Sequence, residues 1–141
     1  MSIQGANVMS DPAVNPMAAG PVVESDPAQR TQAMIAHLCG IFSILGTGIF
    51  YLVKKNDATA GPFVKDQIKE AFNFHIALFA AYIALVVVMI VLGMISATLM
   101  MIASLLVMLV GLGVLVLVIL NAVKANKGIA ARYPFKIAVL K

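Results

Sequence analysis

From Ala71 to Val123 the chain runs 53 residues without one Asp, Glu, Lys or Arg. A single helix of that length would be about 80 Å long, far more than the roughly 30 Å of hydrocarbon in a bilayer. The stretch must therefore fold back on itself. Its one local weakening is Gly93-Met94-Ile95-Ser96-Ala97-Thr98, which places the hairpin turn there and the spans at about 72–93 and 98–123. Sixteen Leu, Ile and Val in the second span contribute about −5 to −10 kcal/mol towards insertion. Only 11% of the 141 residues are charged, against about 25% in a soluble domain. That excludes an ordinary soluble enzyme domain. A single cysteine, Cys39, excludes an intrachain disulfide and any multi-cysteine metal site.

A third uncharged stretch, Thr31–Val53, has 23 residues and ends at Lys54-Lys55. It is long enough to cross, although Gln32, His37 and three glycines make it the weakest of the three. Before it, residues 1–30 hold four of the six prolines and show no apolar periodicity, which predicts a disordered tail. After it, Pro62 suits a first helical turn. Val64, Ile68 and Phe72 then recur at i, i+4, i+8 with Lys65, Asp66, Lys69 and Glu70 around them, predicting an interfacial amphipathic helix over about 62–71. Gly128 reads as a left-handed helix cap, so the membrane domain covers 31–128. Residues 129–141 complete a basic tail. The expected fold is all-α, with three transmembrane helices.

Nine of the ten Lys and Arg fall in the 54–70 loop or the C-terminal tail, which three spans would place on one face. The positive-inside rule makes that face cytoplasmic and puts the N-terminus outside a bacterial inner membrane. Lys124, Lys127, Arg132, Tyr133 and Lys136 are expected on anionic lipid headgroups rather than on nucleic acid.

Between the two long spans, Asn73 lies 23 residues before Ser96 and Asn121 lies 25 after it, level to within about 3 Å along antiparallel helices. A small-residue stripe of Asn73, Ala77, Ala80 and Ala84 would face Gly111, Val114, Val118, Asn121 and Ala125, with the two amides bonded or reaching headgroup water. The ionisable residues within the spans are His37 and His75, expected about 20 Å apart in depth and each bonded to a neighbouring helix. Neither these nor Cys39 forms a catalytic or metal-ligating pattern, so no enzyme activity and no cofactor is expected.

Several fragments occur in a familiar order. His37-Leu38 opens the first span and Lys54-Lys55 closes it; Pro62-Phe63-Val64 and Ala71-Phe72-Asn73-Phe74 lead into the second; Ala122-x-x-Ala125-x-x-Gly128 and Arg132-Tyr133-Pro134 end the third. Over residues 33–136 this order resembles the small bacterial Tic-twenty-like membrane proteins, a domain family distantly similar to a subunit of the chloroplast inner-envelope translocon. The resemblance implies a three-helix membrane domain and no established activity. The leading functional expectation is an oligomeric or accessory packing subunit. The alternative is a component of a pore or translocation assembly, although Ile83 to Ile95 and Leu105 to Leu120 offer no polar lining.

Overall fold

A computed structural model describes residues 26–140. Among them every regular element is helical: α1 (Pro27–Leu38), a 3-10 turn (Cys39–Phe42), α2 (Ser43–Lys54), α3 (Pro62–Ile95) and α4 (Ala97–Asn126). The all-α expectation holds, and three helical stretches, Pro27–Lys54, Pro62–Ile95 and Ala97–Asn126, are long and apolar enough to cross a membrane. Of the tail expected over 1–30, residues 1–25 lie outside the described residues. Residues 27–30 are the first turn of α1, with Pro27 in the first turn and the Asp26 carboxylate accepting from the Gln29 N–H at 2.8 Å.

α3 and α4 form the long hairpin. The turn is tighter than the sequence suggests, a single extended residue, Ser96, whose hydroxyl caps α4. α3 starts at Pro62 and is unbroken, so the amphipathic stretch 62–71 runs directly into the second span. That stretch does not lie in the membrane interface on its apolar face. Phe63, Val64 and Ile68 are buried by protein, against Ala33, Ala36, Ala60 and Ala125.

The path of the first hydrophobic stretch is set by its break. After the 3-10 turn, Ser43 sits at φ 60°, a left-handed backbone that ends any straight course. A straight helix would separate Gln29 from Lys54 by about 37 Å. Instead the Gln29 amide donates to Thr59 O at 2.6 Å and accepts from the Gly61 N–H at 2.7 Å. Thr59 is five residues beyond Lys54, within a chain reach of about 18 Å. α1 thus runs up beside α3, and α2 returns beside it, stacking Tyr51 on Phe72. The start of α1 therefore lies with the 55–61 loop, whereas the charge pattern implies opposite faces for the two. The break also corrects the depth of His37, as the site shows.

The expected small-residue seam holds only in part. Val114 and Val118 do pack between α3 and α4, but against Phe74, Leu78 and Leu117; Ala80, Ala84 and Gly111 are exposed and Ala77 half-buried. Large apolar side chains fill more of the space between two backbones than alanines do, and their burial is the larger gain.

Candidate functional site

Where α1, the first half of α3 and the end of α4 meet, the chain buries a set of polar side chains. α4 ends with Gly128 at φ 73°, and the Ile129 N–H turns back to Lys124 O at 3.0 Å. That cap sends residues 129–140 back across the helices as an extended strap. Three α3 residues spaced by three receive it. The Gln67 amide oxygen accepts from the Ala131 N–H at 2.9 Å, and the Glu70 carboxylate accepts from the Tyr133 N–H at 2.9 Å. The Asn73 amide oxygen accepts from the N–H groups of Val139 and Leu140 at 3.1 and 2.9 Å, while its nitrogen donates to Leu140 O at 2.9 Å. An extended segment has no partners for its own backbone, and these side chains supply them.

Charge reinforces the strap. Arg132 makes a two-pronged pair with Asp66, at 2.8 and 3.2 Å, and that carboxylate holds the guanidinium's pKa above its ordinary value. Lys136 pairs with Glu70, whose side chain is only 4% exposed.

Tyr133 is the strap's buried anchor. Its ring lies on Phe74, and its hydroxyl lies 3.1 Å from His37 Nδ1. His37 Nε2 lies 3.0 Å from Gln67 Oε1. Because that amide oxygen can only accept, His37 carries its proton on Nε2 and accepts at Nδ1 from the tyrosine. The result is one connected line, Tyr133–His37–Gln67, joining the strap, α1 and α3. All three side chains are buried, as is Asn121 on α4. Burial also pushes the Tyr133 phenol pKa above its ordinary value.

His75 completes the cluster. Its Nδ1 lies 2.8 Å from Ala71 O, and its ring packs on Gly40 in the 3-10 turn, where a Cβ would collide with the imidazole. The two histidines, expected about 20 Å apart in depth, both flank Tyr133, with ring centroids 5.6 and 6.5 Å from it. The depth count assumed a straight first span, and the break at Ser43 removes that assumption.

Other sequence expectations are redistributed. Asn73 and Asn121 are both buried, but the Asn73 amide holds the end of the strap instead of pairing with Asn121. Val118, Asn121 and Ala125 do face the interior. Tyr133 is 6% exposed and cannot sit among headgroups, while Arg132 and Lys136 face carboxylates of α3. Of the basic tail residues, Lys127 is exposed and Lys124 half-buried. Gln67 and Glu70 were missed as site residues. The available signal was their spacing of three with Asn73, beside the Val64–Ile68–Ala71 stripe.

Fold and site together define a small multi-pass α-helical membrane protein with a braced polar cluster at one end of its long hairpin. A family model, the MamF/MmsF magnetosome magnetite crystal formation protein family, matches residues 28–140, and the chain belongs to that family. This overturns the resemblance to Tic-twenty-like proteins. The quoted fragments are short and scattered, whereas the family match runs along the whole domain. No curated protein and no solved structure matches the chain.

Proposed function

We propose that the chain is a non-enzymatic structural subunit of the magnetosome membrane that supports magnetite crystal formation by assembling with other copies or other membrane chains. The observation that carries this reading is the closed wiring of its polar cluster. Both nitrogens of His37, the carbonyl of Gln67, the hydroxyl of Tyr133 and the carboxylate of Glu70 are spent on other parts of the same fold. Groups so engaged brace a structure; a nucleophile or general base needs a free lone pair aimed at a substrate. The pore alternative has less support. A cleft of about 1020 Å³ between α2, α3 and α4 is walled by apolar side chains such as Phe42, Leu45, Ile49 and Phe79.

In this reading Lys124 and Lys127 rest on anionic headgroups of the cytoplasmic leaflet, and the exposed apolar surface of α3 and α4 meets lipid or a neighbouring chain. Deletion of the gene in a magnetite-forming host tests it, with crystal size and number measured by electron microscopy. Altered crystals restored by the wild-type gene, and crosslinked species of dimer mass or larger in native membranes, are expected. Unchanged crystals, or only monomer after crosslinking, would overturn it.

A further inference from the structure

We infer that the first hydrophobic stretch is a re-entrant hairpin that enters and leaves the bilayer by one face, so that the chain crosses only with α3 and α4 and presents all its polar recognition surface on that face. Each leg has 12 residues, about 18 Å, which is too short for about 30 Å of hydrocarbon. Both outer ends lie at the 55–61 loop: Gln29 bonds Thr59 and Gly61, and Lys54 bonds Asp57 at 2.6 Å. The tip between them is apolar and uncovered, with Phe42 75% and Leu45 74% exposed. Water would reject such a tip, whereas lipid accepts it.

The depth of the tip follows from its neighbours. Phe42 and Leu45 share a cleft with Phe79 and Tyr82, which stand near the middle of the uncharged part of α3. The hairpin thus reaches about the bilayer midplane. Irregular backbone survives at such depth only when protein covers it. At the root of the break that cover is present: Gly40 is buried under His75, and Gly40 O accepts from the Ser43 N–H, while the side chains of Ile41 and Phe42 face outward.

Charge agrees. With the first stretch folded over, Arg30 joins every other described Lys and Arg on one face, and the positive-inside rule has no exception left. Among the described residues the opposite face carries only the turn around Ser96, flanked by Met94, Ile95 and Ala97. On the structural-subunit reading, partner recognition then takes place on the basic, cytoplasmic side, and the mineral side meets an uncharged turn.

The topology itself can be tested whether or not that reading holds, because it needs no crystals. In a Cys39→Ala background, single cysteines at Ala28, Ala58 and Ala97 are exposed to a membrane-impermeant maleimide in intact spheroplasts and in inverted inner-membrane vesicles. Ala28→Cys and Ala58→Cys should lose all labelling in spheroplasts and gain it in inverted vesicles, with Ala97→Cys doing the reverse. In the otherwise unaltered chain, a periplasmic phosphatase inserted after Ser96 should be active and one fused after Lys141 silent. Labelling of Ala28→Cys from the face opposite to Ala58→Cys, or from both faces, overturns the inference. So does an active phosphatase after Lys141.

Discussion

The Tyr133 ring lies flat on Phe74, with centroids 3.8 Å apart and planes 5° from parallel. This stack joins the strap to α3 at the point where the polar line to His37 and Gln67 leaves the tyrosine hydroxyl. Replacing Tyr133 by Ala removes the ring and leaves His37 Nδ1 without its partner. Loss of a buried aromatic costs about 3–5 kcal/mol. Tyr133→Phe keeps the stack and leaves His37 Nδ1 unpaired, for about 1–3 kcal/mol. Thermal unfolding in detergent should rank wild type above Tyr133→Phe above Tyr133→Ala, and protease should nick residues 129–140 first in the alanine variant.

Glu70 separates charge from hydrogen bonding. Glu70→Gln keeps an oxygen for the Tyr133 N–H and loses the attraction to Lys136 and Arg132 together with the hydrogen bond that Lys136 donates; the side chains of Lys136 and Arg132 are 36% and 45% exposed. Exposed partners make that loss about 1 kcal/mol or less. Glu70→Ala also orphans a buried N–H and should cost about 2–3 kcal/mol. Equal costs in unfolding measurements would contradict the arrangement.

Gly40→Ala tests the seat of His75. The added methyl meets the imidazole, and overpacking of this kind costs about 1–3 kcal/mol. His75→Ala opens a space of its own, and the double variant should be less destabilised than the two single costs added together, because the second change removes the obstacle to the first. Strict additivity would place the two residues apart.

The raised pKa of Tyr133 gives a sign for alkaline stability. An unfolded phenol loses its proton near pH 10, while the folded one holds it to higher pH. Above pH 10 the unfolded state therefore binds fewer protons and stability falls; below pH 10 the contribution is fully present. The melting temperature should decline from about pH 10 upwards, and Tyr133→Phe should flatten the part of that decline owed to this phenol. An unchanged slope in the phenylalanine variant would assign the loss elsewhere.

The membrane class, the hairpin turn near Ser96, the start of α3 at Pro62 and the Gly128 cap were legible because each rests on local chemistry: hydropathy over a long window, the fixed φ of proline, the left-handed freedom of glycine. The break at Ser43 was not legible. Ile41-Phe42-Ser43-Ile44 contains no residue that favours a positive φ, and only the three glycines of the stretch hinted at weakness. The strap was misread for a different reason. Charge counting treats Arg132 and Lys136 as free cations, whereas Asp66 and Glu70, more than sixty residues earlier, take them up. Pairing over that separation is a property of the folded path and not of any window of sequence.

The strap also orders events in time. Gln67, Glu70, Asn73 and His37 enter the membrane before residues 129–140 are synthesised, and the strap is their partner. At about 5–20 residues per second the wait is several seconds. During that interval the buried polar groups of the helices must be met by water, by headgroups or by the insertion machinery. A chain stalled before Tyr133 would present to quality-control proteases an open polar cleft that the finished protein does not have.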